Sequence, residues 1–206
     1  MIRIASSGQV LKSTSPLVGR KLLKVSILGI AITATALLSL LSMSPVAADS
    51  GQRNYQFLVS SGSLCELATN ACPDISMASN GDTVQIAGGG SFSLHPSTAT
   101  GSGTFVHKAL SGETKAAGTW IVLKFLAFHS FGNAIPQGLP SNLEGGQLVL
   151  LVQLQIDGTP VHNGILNVDC ELGRAPHGQS EGITLAVQNA INFNEKVSGF
   201  TVFIRT

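Results

Sequence analysis

Charge is scarce in this chain. Asp, Glu, Lys and Arg make up 11% of its 206 residues. A sandwich with open edge strands would need charge or proline to protect those edges, and few charges are on hand. Metal-binding spacings of the HxH and HExxH kind are absent. Gly88-Gly89-Gly90 reads as a turn between two strands and lacks the lysine and helix of a phosphate loop. Ser111-Gly112 and Gly178-Gln179-Ser180 lack the strand–turn–helix setting of a nucleophile elbow. After residue 50 there is no amphipathic helical pattern. These absences leave no metal centre, no cofactor and no catalytic motif to assign.

The N-terminal segment is the most directive stretch. Arg3, Lys12, Arg20, Lys21 and Lys24 precede an uncharged run from Val25 to Ala48, which ends in the small residues Val46-Ala47-Ala48. Basic, then apolar, then small is the order of a secretory signal peptide. We expect residues 1–48 to be such a signal, or an uncleaved N-terminal anchor, and residues 49–206 to be one domain. A basic N-terminus stays inside the cell in either case. The domain is therefore secreted or extracytoplasmic, and only residues 25–48 would touch a membrane. Five of the 12 basic residues lie in the signal and all 11 acidic residues follow it, which leaves the domain 7 basic and 11 acidic residues. That balance offers no footprint for nucleic acid and none for anionic lipid.

From Tyr55 onward the apolar residues alternate. Tyr55, Phe57 and Val59 share one face, as do Val84 and Ile86. The same holds for Leu148 to Ile156, for Ile183, Leu185, Val187, Ile191 and Phe193, and for Phe200, Val202 and Ile204. Period two marks strands with one buried face. The expected fold is all-β, an antiparallel meander closing into a barrel of about eight strands, with a two-sheet sandwich or jelly roll as the alternative. Residues 121–128 are apolar at both parities, so this strand is expected at the centre of the core, either covered on both sides or twisting from one layer to another.

Two hairpins can be read to the residue. A two-residue loop at Ser111-Gly112 sets Phe105 opposite Gly118 and Gly103 opposite Trp120, so that each ring shields a bare backbone. A three-residue loop, Asp157-Gly158-Thr159, keeps Leu148 and Leu150 on the face of Val168 and Leu166, with a left-handed residue and a bulge. Longer connections are expected at 61–82, 95–102, 130–146 and 171–181, where binding sites tend to sit.

Three cysteines in an oxidising compartment imply one disulfide and one free thiol. Cys65–Cys72 and Cys72–Cys170 both remain open as pairings. By parity His107 lies with Phe105, His162 with Leu166 and Val168, and His129 with Phe125 and Ala127; His95 and His177 fall in loops. The acids Glu144, Asp169, Glu171 and Glu181 are expected to be solvated at strand ends and in loops.

Gly118-Thr119-Trp120 resembles the G-x-W of lipocalins, barrels that hold small apolar ligands. There the motif sits on the first strand, whereas here it is mid-domain, and the family is not assigned. The stretches NGDTVQIAGGGSFSLHP, GSGTFVHK, LEGGQ, VDCELG, EGITLAV, INFN and TVFIR make the domain similar to a group of uncharacterised exported microbial proteins. That resemblance implies export and an all-β fold and adds no mechanism.

Two function classes follow. One is a small, apolar ligand held inside the barrel or sandwich or under the 130–146 loop, with Phe105, His107, Trp120 and His162 as the candidate lining. The other is a structural or interaction protein of the cell envelope with a filled core. A weaker third is a barrel isomerase or cyclase that uses His107 or His162. An empty interior favours the first class and a packed interior the second.

Overall fold

A computed structural model describes residues 53–68 and 70–206. The signal segment expected at 1–48 lies outside the described residues. Among the described residues the domain is nearly all antiparallel β. Its elements are β1 (Asn54–Val59), α1 (Ser63–Leu67), β2 (Asp74–Ala78), β3 (Thr83–Leu94), β4 (Ser97–Lys108), β5 (Thr114–Asn133), a 3-10 turn (Ile135–Gln137), β6 (Leu143–Ile156), β7 (Thr159–Cys170), β8 (Gly182–Val187), β9 (Asn192–Ser198) and β10 (Thr201–Arg205).

Strands β2 to β9 pair in chain order, and β9 closes on β2. This is the expected meander, closed into a ring of eight strands. β1 and β10 pair with each other and form a second closure: β1 lies along β3 from Ser93 to Gly88, and β10 meets β6 at Glu144 and Leu143. The wall is thus closed by eight strands toward β8 and β9 and by six toward β1 and β10. Closure leaves no long unpaired edge, which suits a chain with so few charges.

The six-strand end is filled by aromatic rings. Phe92 stacks on Tyr55 with centroids 4.8 Å apart, and Phe128 lies 4.8 Å from Phe92 and 5.0 Å from Phe203. Offset and edge contacts at this spacing add to the burial of the rings. Above them Trp120, Leu148, Leu150, Leu166 and Val168 are fully buried.

Several expectations are corrected by this wall. Gly88-Gly89-Gly90 is not a turn. It lies inside β3, where that strand passes from β2 to β1. Residues 97–102 belong to β4, and the connection there shrinks to His95-Pro96. β8 and β9 are two strands, because the chain turns at Gln188–Ala190 with Asn189 at φ 57°. In β10 it is Phe203 that enters the core, opposite Phe57, while Phe200 is 38% exposed. The run 121–128 is not covered on both sides, since Leu123 and Leu126 are 44% and 42% exposed. Three register shifts in β5 re-phase it against β6. Its inward residues become Trp120, Val122, Phe125 and Phe128, so the apolar signal at both parities records bulges rather than two covered faces.

Both hairpins keep the expected register by another route. Phe105 faces Gly118 and Gly103 faces Trp120, but the turn is Leu110-Ser111-Gly112, and the odd residue is absorbed by a bulge at Lys115. Leu148 faces Val168 and Leu150 faces Leu166, yet the loop is only Asp157-Gly158, with φ of 51° and 74°, and the bulge is at Val161. Positive φ at both positions is the two-residue turn that matches strand twist.

Cys65 and Cys72 are disulfide-bonded, with Cα atoms 5.5 Å apart. Cys170 is buried and unbonded, so its place among the disulfide candidates is corrected. Burial pushes its thiol up to about 12, with the Glu181 charge adding to the shift. Iodoacetamide is therefore expected to leave the native protein unmodified and to add one label on unfolding without reductant. A label on Cys170 in the native protein at neutral pH would show that the β7 end opens. Among the described residues no helix is long and apolar enough to cross a membrane.

Candidate functional site

The eight-strand end is not filled. A pocket of about 390 Å³ opens there, lined from β3 round to β9. Its walls are apolar: Val84, Phe105, Ala116, Leu154, Ile156, Leu185, Val187, Ile191 and Phe193 all contribute. Alternation along each strand supplies these side chains, because the parity that fills the six-strand end with rings continues here with smaller residues. The volume suits one small ligand.

Two histidines also line the pocket, His107 and His162. His107 is half-buried, and its ring meets Phe193 edge-on at 5.2 Å. Its Nε2 lies 3.1 Å from Oδ2 of Asp82. Lys115 Nζ donates to the same oxygen at 2.7 Å, and the Leu110 amide donates to Oδ1 at 3.3 Å. Asp82 sits in the β2–β3 turn and Leu110 in the β4–β5 turn, so this carboxylate ties two hairpin ends together. Lys115 is the bulged residue of β5. The hydrogen bond from Lys115, and then that from His107, holds the Asp82 carboxyl down at about 2. The carboxylate stays ionised across the physiological range.

Three of the four expected lining residues, Phe105, His107 and His162, therefore meet at one pocket. Trp120 does not line it. Its ring lies deeper and fully buried, and Nε1 donates to the Ala87 carbonyl at 3.2 Å. His162 is exposed at the mouth. His129 is exposed on the outside of the wall and away from this group, because the β5 bulges reverse its parity. His95 and His177 are exposed. Asp82 and Lys115 carried no sequence signal, since an acid in an Asn-Gly-Asp turn is ordinary turn chemistry.

The remaining acids depart from expectation. Glu144 is 5% exposed and Asp169 is 2% exposed. Glu144 accepts hydrogen bonds from Tyr55 at 3.1 Å and from Ser130. Burial, and then the Glu144 charge, push the Tyr55 phenol up to about 12. Asp169 pairs with Lys196 at 2.7 Å. Glu181 is half-buried and accepts from the Thr201 amide and hydroxyl at 2.7 and 2.8 Å. Its carboxyl is raised by burial. Only Glu171 is exposed as expected.

No known protein family, curated protein or solved structure matches this chain. The pocket's own chemistry must carry the functional reading.

Proposed function

We propose that the exported domain binds a small apolar ligand in the pocket at the eight-strand end. One observation carries the reading: an apolar cavity of about 390 Å³ persists at one end of a ring whose other end is packed with aromatic side chains. A purely structural core would gain by filling that volume, because apolar side chains left facing water forfeit burial. The Cys65–Cys72 disulfide fits an extracytoplasmic setting.

Ala116 tests this directly. It is half-buried, lines the pocket and faces His107 across β4 and β5. An uncharged fluorescent probe, N-phenyl-1-naphthylamine, is expected to bind the protein, and Ala116→Phe is expected to weaken that binding at least tenfold by placing a ring in the cavity. Unchanged binding in the variant would put the probe elsewhere and sink the reading. Native mass spectrometry of protein taken from its host's exterior is the companion measurement: extra mass that is lost on denaturing identifies the natural ligand.

A second reading, an interaction protein of the cell envelope, is favoured by one feature. Leu123 and Leu126 are 44% and 42% exposed on the outer face of β5. A clean native mass with no probe binding would move the assignment to that reading.

A further inference from the structure

We infer that the ligand is an amphiphile with one hydrogen-bond donor, and that His107 Nδ1 is the acceptor that receives it. The inference rests on the binding reading above and adds the ligand's chemical class and its orientation in the pocket.

The argument is one of proton placement. Asp82 is ionised, so its Oδ2 can only accept. The 3.1 Å contact from His107 Nε2 therefore requires hydrogen on that nitrogen. In the neutral ring the hydrogen on Nε2 leaves Nδ1 with a lone pair and no hydrogen. Nδ1 has no partner among the described residues, and the ring that carries it lines the pocket. Phe193 holds the ring edge-on at 5.2 Å, and Asp82 fixes its tautomer. Asp82 in turn is anchored by Lys115 and by the Leu110 amide. The result is one oriented acceptor beside a lining that is apolar apart from His162 at the mouth, and a few placed polar groups of this kind set ligand orientation.

Charge narrows the class further. Lys115 lies against Asp82 and matches the carboxylate's charge. A carboxylate ligand would bring its own lone pairs to the lone pair of Nδ1. A hydroxyl or phenol brings the hydrogen that the site lacks. His162 is exposed at the mouth and can meet water whatever is bound.

Three probes of one shape make the test: 4-hexylphenol, its methyl ether 4-hexylanisole, and 4-hexylbenzoate, titrated calorimetrically into the full protein. The phenol is expected to bind about fivefold more tightly than the ether, the scale of one net hydrogen bond. The benzoate is expected to bind most weakly. His107→Phe is expected to remove the preference for phenol over ether, whatever it does to the affinity for both. Phenol and ether binding equally to the unaltered protein would overturn the inference and leave the binding reading standing, as would a preference for benzoate. Binding of none of the three would overturn both. Should His107→Phe fail to fold, the imidazole nitrogen resonances of the unaltered protein decide. Nδ1 is expected to carry no hydrogen and to shift on adding the phenol but not the ether. A hydrogen found on Nδ1 in the free protein would end the proposal.

Discussion

Asp74→Asn is expected to stabilise the protein by about 4 kcal/mol at pH 8 and to change little at pH 4. Asp74 is fully buried at the start of β2. Its Oδ1 accepts from the Ile183 amide at 3.2 Å, while Oδ2 has no partner. Desolvation raises its carboxyl to about 7, and the charges of Glu181 and Asp169 add to the rise. The Ile183 amide and the Lys196 ammonium pull the other way and do not overcome it. The unfolded chain releases this proton near the ordinary value of 3.8. Between about pH 4 and pH 7 the folded state therefore holds a proton that the unfolded state has lost, and stability falls as pH rises through that window. Above about 7 the loss is complete, because the folded protein then carries a buried charge with one bare oxygen. Glu181, also raised by burial, acts in the same direction. Asparagine keeps the acceptor for Ile183 and never charges. Urea unfolding at pH 4, 6 and 8 should show the advantage of the variant growing with pH. An advantage equal at all three values would mean that Asp74 is not the group that titrates.

The contrast between what could and could not be read follows from the same physics. Register was legible, because moving a strand by one residue turns its whole apolar face outward. That constraint placed Leu150 with Leu166, and the need of a bare glycine for a covering ring supported Phe105 with Gly118. Turn length was not legible. One residue gained or lost at a turn is cancelled by one bulged residue further along, and apolar parity sees only the result. Lys115 and Val161 are those cancelling residues. The three bulges in β5 hid its inward face for the same reason, by changing the parity within the strand. The apolar lining of the pocket was partly legible, since Phe105, His107 and His162 lie on inward faces by count. The polar end of the pocket was not. Asp82 matters only because the β2–β3 and β4–β5 turns are brought side by side, and no local pattern announces a contact between two turns. The buried acids were missed likewise: Asp169 is tolerated in the interior because Lys196, on a different strand, reaches it at 2.7 Å.

Gly103→Ala is expected to abolish folding. Gly103 lies opposite Trp120 on one side and Gly88 on the other. A Cβ there would stand 2.0 Å from the Ala87 carbonyl oxygen and 2.6 Å from Trp120 Nε1. The first contact is with backbone that is itself tied into β3, so it cannot be relieved by a rotamer change. The second would displace the indole that donates to that same carbonyl at 3.2 Å. Trp120→Ala removes a fully buried ring and is expected to cost about 3–5 kcal/mol, but it clears only the second obstacle. The double variant should therefore fold no better than Gly103→Ala alone. Gly112, in the open β4–β5 turn, supplies the control. Its φ of 88° disfavours any side chain, yet a Cβ there meets nothing within 4 Å, so Gly112→Ala is expected to cost only about 1 kcal/mol. The chain has one tryptophan, so its emission reports the outcome for the two glycine variants, and circular dichroism serves for the two that lack it. A blue-shifted, buried spectrum for Gly103→Ala would show that β3 and β4 can part at this point, and the close packing of glycine against indole would then not be what holds the centre of the ring together.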